Sequence, residues 1–131
     1  MARLGFNVEQ VPDNDYSPIL DGEYAAQIIK SEMKDTKAGT GQYLELRVQI
    51  LEPPYNGRIV FDRLNLINPN QVAVSIANRT LADICTALGI TEIEDSEELH
   101  NQELTVRIAT EERDGYPPSN VIKKYLPANF R

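Results

Sequence analysis

The chain has 131 residues, 41% of them hydrophobic and 25% charged, which is enough for one compact core and too little for two ordinary ones. It contains neither an apolar run of about 18 residues nor an apolar N-terminal signal stretch, which excludes a transmembrane helix and predicts a cytoplasmic protein. The formal net charge of −7 argues against a nucleic-acid ligand unless the 13 Lys and Arg residues collect on one face.

Residues 1–20 show little periodicity and contain Pro12 and Pro18, which predicts an arm that packs over the domain. A single domain is then predicted over residues 21–131. Four apolar side chains are candidates to anchor the arm: Leu4, Phe6, Val8 and Leu20.

Two strands joined by a glycine-bearing loop are predicted next. Residues 22–33 are apolar enough on both faces for a central strand, and residues 43–51 alternate strictly between apolar and polar. The alternation predicts that Leu44, Leu46, Val48 and Ile50 face the core. The opposite face is then formed by Tyr43, Glu45, Arg47 and Gln49.

A third strand and one helix follow. The strand is predicted over residues 58–66, after a turn that contains Asn56 and Gly57. Asn68 and Pro69 indicate the helix start, as N-cap and first helical residue, and Gly89 indicates its end. The helix is predicted to bury a stripe that includes the lone cysteine: Val72, Ile76, Ala77, Leu81, Ile84, Cys85 and Leu88.

The remainder of the chain predicts an acidic, solvated connection over residues 92–98, a fourth strand over 104–109, a hairpin loop over 111–119 and a fifth strand over 120–126. The element order is thus β-β-β-α-β-β. This order is the connectivity of an OB-fold, a five-stranded β-barrel.

Catalytic and metal-binding patterns are weak. Gly39-Thr40-Gly41 precedes a strand and lacks the helix that a phosphate-binding loop requires. His100 is the only histidine, and no nucleophile elbow occurs. We therefore expect a protein that is not an enzyme and that needs no cofactor or metal.

Aromatic and basic residues are distributed over the strands and their loops in a pattern typical of single-strand binding, in which bases stack on aromatic rings and cations hold phosphates. The alternative is that such residues serve cross-strand pairing and that Phe61 is part of the core. The candidate nucleic-acid-binding residues are Lys34, Lys37, Tyr43, Arg47, Arg58, Phe61, Arg63, Arg107, Tyr116, Lys123 and Tyr125.

Short stretches along nearly the whole chain match a known pattern: Leu4-Gly5-Phe6, Lys37-Ala38-Gly39 with Tyr43-Leu44-Glu45-Leu46, Phe61-Asp62-Arg63-Leu64-Asn65-Leu66 followed by Asn68-Pro69-Asn70, Leu99-His100-Asn101, and residues 120–125. On these stretches the chain resembles a small family encoded by tailed bacteriophages and prophages, long catalogued as a domain of unknown function. Members resemble phage single-stranded DNA-binding proteins of replication and recombination modules. The pattern covers Lys37, Gly39, Tyr43, Phe61, Arg63, Asn65 and Tyr125.

The resemblance implies an OB-fold that binds single-stranded DNA in the cytoplasm of a bacterial host, together with phage replication or recombination proteins. A second copy of the chain is a further expected partner. Residues 127–131 depart from the acidic tail with which bacterial single-strand binding proteins recruit partners. The alternative function is an OB-like protein-protein interaction module of a phage replication complex, without DNA binding of its own.

Overall fold

The computed structural model describes residues 18–128, so the predicted arm anchors Leu4, Phe6 and Val8 lie outside the described residues. Strands and helices follow one another in the predicted order. They are β1 (Gly22–Asp35), β2 (Gln42–Ile50), β3 (Ile59–Ile67), α1 (Gln71–Leu88), a 3-10 helix (Ser96–Leu99), β4 (Glu103–Arg113) and β5 (Tyr116–Leu126). The secondary structure is therefore mostly β with one α-helix.

The five strands form one antiparallel sheet in the order β3-β2-β1-β4-β5. Strands β3 and β5 are the two edges, and no ladder joins them within residues 18–128, so the sheet is unclosed. One face of the sheet and α1 enclose the core. The core side chains are Ile19, Ala26, Ile28, Leu44, Leu46, Val48, Ile50, Val60, Leu64, Ala77, Ile84, Leu99, Leu104, Val106, Ile108 and Tyr125.

The hairpin of β4 and β5 is longer than the sequence predicts. The region predicted as a loop over residues 111–119 is mostly strand, because the ladder continues through Glu111–Ser119 to Arg113–Tyr116. Gly115 turns the chain with a φ of 82°, a conformation that costs glycine little. Pro117 and Pro118 fit within β5 because an edge strand need not donate every backbone N–H.

The helix begins two residues later than predicted. Its N-cap is Asn70, whose side-chain oxygen accepts hydrogen bonds from the N–H groups of Val72 (3.0 Å) and Ala73 (3.3 Å). The Asn68 side chain instead accepts from the N–H of Asn70 and shapes the entry turn. The predicted end is confirmed, since Gly89 adopts a left-handed conformation with φ 72°.

The apolar stripe of α1 is only partly buried. Ala77 and Ile84 are in the core and Cys85 is half-buried, where burial raises the pKa of its thiol. Val72 and Ile76 are exposed, because the residues that α1 turns inward in its first turns are Ala73, Val74 and Ala77. No helix between residues 18 and 128 has the length and apolar character needed to cross a membrane.

The start of the described chain is anchored by Ile19. Its side chain is buried, and its backbone N–H and carbonyl both bond to the Asn120 side chain at 2.8 and 2.9 Å. Leu20, which the sequence predicted as an anchor, is exposed and points away from the core. The prediction is wrong by one residue, which in an extended chain is enough to reverse the face of a side chain.

The acidic segment over residues 92–98 ends in the 3-10 helix, whose capping box joins Asp95 and Glu98. Ser31 ties this helix to β1, with its Oγ 2.6 Å from Ser96 Oγ and 2.7 Å from His100 Nε2. Ser31 pairs with the buried Leu46, so the acidic segment packs on the core-facing side of β1. Its carboxylates therefore lie on the opposite side of the sheet from the polar side chains of β2.

Candidate nucleic-acid interface

Strand β2 confirms the predicted alternation. Leu44, Leu46, Val48 and Ile50 are buried in the core. In an antiparallel ladder, directly opposed residues share a face, so the register of β1, β2 and β3 defines a face turned away from the core. We call it the outer face; its charged and aromatic members are Glu23, Lys30, Glu32, Lys34, Tyr43, Glu45, Arg47, Phe61 and Arg63.

Cation–aromatic pairs organise this face. Arg47 lies opposite Phe61 in the ladder, and its Cζ is 5.5 Å from the centre of the Phe61 ring. Arg63 lies over Tyr43 at 5.9 Å. Both distances are within the range of a cation–π attraction. Phe61 is 48% exposed, so the alternative that it is part of the core is wrong.

Arg58 forms a third pair at the turn between β2 and β3, with its Cζ 6.0 Å from the ring centre of Tyr55. Tyr55 also contacts Tyr24 edge to face, with ring centres 5.6 Å apart. Sequence reasoning missed Tyr55. The signal available was a tyrosine in a turn next to an arginine, although the contact with Tyr24 depends on the fold.

Glu45 is the member of the face that sequence reasoning also missed as a functional candidate. Its side chain is 8% exposed, and its Oε1 is 3.0 Å from Lys34 Nζ while its Oε2 is 3.6 Å from Arg63 Nε. The hydrogen bond from Lys34, together with the charges of Lys34 and Arg63, lowers the pKa of the Glu45 carboxyl despite its desolvation. The same hydrogen bond raises the pKa of Lys34. Two predicted phosphate-binding cations are thus held by one carboxylate.

A pH-dependent contribution to stability follows from this pairing. Because the pKa of Glu45 in the folded protein is below its ordinary value of 4.5, the pairing stabilises the fold above that value and is lost as the pH falls through the lower folded pKa. Glu45→Gln is expected to lower the urea midpoint at pH 7, and the difference from the wild type is expected to shrink below about pH 4 as Glu45 itself becomes protonated. Far-UV circular dichroism at both pH values measures it. Glu32→Gln is the control on the same face, and equal destabilisation by Glu45→Gln at both pH values would contradict the expectation.

Tyr125 is a correction to the predicted site. It is 4% exposed and cannot stack on a base, because its ring lies in the core and its hydroxyl donates to Asp62 Oδ2 at 2.7 Å. A bulge at Lys123 causes the difference: Lys124 pairs with Arg107 but Ile122 pairs with Ile108, which turns Tyr125 to the core side. Burial raises the pKa values of both Tyr125 and Asp62.

The remaining predicted residues lie outside the cluster formed by β2 and β3. Lys37 is exposed in the loop between β1 and β2. Arg107 is on β4, where its Nη2 binds Glu23 Oε2 at 2.8 Å, and so does not join the β2–β3 cluster. Lys123 shares a cleft of about 340 Å³ between β3, α1 and β5 with Arg63. Tyr116 is exposed at the β4–β5 turn.

A second cleft joins Tyr116 to the outer face. It lies between β3 and the β4–β5 hairpin, has a volume of about 530 Å³, and is lined by Phe61, Arg63 and Tyr116 among others. Cavities of this size are typical of small-ligand sites. Among residues 18–128, no three His, Cys, Asp or Glu side chains converge to hold a metal ion. The outer face and this cleft present aromatic rings and arginine side chains, which are groups that can contact bases and phosphates.

The fold and the face together define a small, mostly β domain with one helix and an open antiparallel sheet whose outer face is basic and aromatic. The family described as "protein of unknown function (DUF669)" matches residues 6–128, and the chain belongs to it. Comparison with curated proteins gives no match.

Proposed function

We propose that this protein binds single-stranded DNA during phage DNA replication or recombination, as a non-enzymatic OB-fold protein in the cytoplasm of the bacterial host. The observation that carries the proposal is the half-exposed ring of Phe61 with Arg47 against it, at the β3 edge of the outer face. Exposed rings beside cations favour single strands, because splayed bases can stack while phosphates reach the cations.

Two further observations support it. The strand order β3-β2-β1-β4-β5 is compatible with a partly open OB-type barrel, whose strands 2 and 3 and hairpin loops commonly hold oligonucleotides. The acidic segment near the 3-10 helix lies on the other side of β1, so the net charge of −7 does not prevent a cationic outer face. The resemblance to phage single-strand binding proteins supports the biological setting.

Phe61→Ala is expected to weaken binding of a labelled oligo-dT of about 30 nucleotides by about 1–3 kcal/mol, because one base loses its stacking platform. The dependence of affinity on salt should stay unchanged, since the ring is uncharged. Fluorescence anisotropy at several salt concentrations measures both quantities. Leu20→Ala, which shortens an exposed apolar side chain outside the strands of the outer face, is the control and is expected to bind as the wild type does.

The wild type should also bind this oligonucleotide more tightly than a duplex of equal length, because a duplex hides its bases. Failure of the wild type to bind either DNA at low salt would refute the proposal. The interaction-module alternative would then be favoured, with the exposed Val72 and Ile76 of α1 as its apolar contact surface.

A further inference from the structure

Glu45 lies between two cations of the outer face, Lys34 and Arg63. Its carboxylate lies beneath the surface, at 3.0 Å from Lys34 Nζ and 3.6 Å from Arg63 Nε, while the side chains of those cations are 37% and 64% exposed. The cations are therefore accessible from solvent, but in the free protein each has a carboxylate partner. A phosphate therefore competes with Glu45 for both charges.

The replacement has a cost that depends on burial. A carboxylate that is 8% exposed and loses its cations is left poorly solvated, which is less favourable than separating an ion pair in water. Glu32 lies directly opposite Glu45 in the β1–β2 ladder, so the two negative charges repel each other more strongly once Lys34 withdraws. Phosphate contacts alone are therefore weakly favourable at this place.

The same exchange uncovers an aromatic ring. Arg63 contacts both Glu45 and the face of Tyr43, at 5.9 Å from the ring centre. When Arg63 moves to a phosphate, it exposes the Tyr43 ring on which a base can stack. A single strand can supply the phosphate and the base together, whereas a duplex supplies only the phosphate.

We infer that Glu45 is a specificity-determining residue, which holds Lys34 and Arg63 until a strand with unstacked bases replaces it and which thereby discriminates against duplex DNA and other polyanions. This inference rests on the proposed function. It also accounts for an acidic protein with a cationic face, because the pairing lowers attraction to phosphate as such.

Glu45→Gln tests the inference through two affinities. Labelled oligo-dT and a duplex of the same length are titrated by anisotropy at several salt concentrations. The variant is expected to bind duplex on the order of tenfold more tightly, with a smaller gain for oligo-dT, so that the ratio of the two affinities falls. The salt slope for duplex should steepen by up to about 1.8, which is about 0.9 for each of the two released cations.

Glu32→Gln is the matched control, because it removes the same charge from the opposed position. It is expected to lower the ratio much less than Glu45→Gln does, because Glu32 acts on Lys34 only through its charge while Glu45 forms the ion pairs. If the ratio after Glu45→Gln falls no further than after Glu32→Gln, the inference is overturned while the proposed function stands. If the wild type binds neither DNA, the proposed function itself has failed.

Lys34 supplies a second variant. Lys34→Met should reduce oligo-dT affinity little in the wild type and several-fold more in the Glu45→Gln background, where Lys34 is free to reach phosphate. Equal losses in both backgrounds would contradict the inference, since contacting residues with a shared partner are expected to couple.

One further measurement uses the wild-type protein, so its result does not depend on whether a variant folds. The ¹³C resonance of the Glu45 carboxyl is expected to shift on saturation with oligo-dT, because both cations leave it. An unchanged resonance in a saturated complex would show that phosphate does not displace the carboxylate and would overturn the inference.

Discussion

Tyr125→Ala is expected to lower the free energy of unfolding by about 3–5 kcal/mol, the range for removing a large buried aromatic side chain. Tyr125 is a core residue of β5 and joins one edge of the sheet to the other through Asp62 on β3. Its loss removes both apolar contacts and the hydrogen bond that links the edges. Urea denaturation followed by far-UV circular dichroism measures the change, and a loss below about 1 kcal/mol would show that the ring is not part of the core.

Tyr125→Phe separates the hydroxyl from the ring. The substitution leaves the Asp62 carboxylate without the Tyr125 donor, which is expected to cost about 1–3 kcal/mol. Tyr116→Phe is the matched control, because that tyrosine is exposed, and it is expected to be neutral. Because folding raises the pKa of Tyr125 well above 10.0, the hydroxyl contribution is complete below pH 10.0 and is lost as the pH rises further.

Gly41→Ala is expected to destabilise the fold by about 1–3 kcal/mol or more, the range for inserting a methyl group into a closely packed site. A Cβ on Gly41 would collide with the carbonyl oxygen of Ile67, and it would also lie 3.2 Å from the Cα of Asn68. Both obstacles are backbone, so they cannot move aside as a flexible side chain could. The added methyl group is therefore expected to push the start of β2 away from the end of β3.

Gly22→Ala is the control for that substitution. The atoms nearest to its Cβ would belong to the Tyr24 side chain, at 3.5 Å, which is an ordinary contact. It is expected to change stability little, and replacing a glycine in a compatible conformation can stabilise a protein by about 0.4–1 kcal/mol. Equal midpoints in urea for the two variants would contradict the close approach at Gly41.

Gly41 also shows what a local sequence pattern can and cannot predict. The glycines of residues 37–41 predict a loop between β1 and β2, and the loop is there, with Gly39 at φ 70°. The sequence pattern does not distinguish Gly41 from Gly39. In the structure Gly41 is buried, and its lack of a side chain is required by a segment 26 residues further along the chain, Ile67. No local signal marks that requirement.

Local periodicity and end signals were sufficient for the element order, the alternation of β2 and the end of α1 at Gly89, because each depends on neighbouring residues. The same alternation placed Tyr43 and Arg47 together on the outer face. Tertiary structure alone decided which side chains meet: the β2–β3 register sets Arg47 against Phe61 and Glu45 beside Arg63.

The bulge at Lys123 is the clearest case of a feature that only the tertiary structure decides. Alternation from Lys123 predicts that Tyr125 faces outward, and one unpaired residue in β5 turns it inward to Asp62 instead. The bulge depends on how β4 and β5 fit each other, and it leaves the side-chain pattern of each strand unchanged. The sequence therefore determined the elements and their exposed chemistry, while the pairing of strands determined whether an aromatic ring would bind a ligand or close the core.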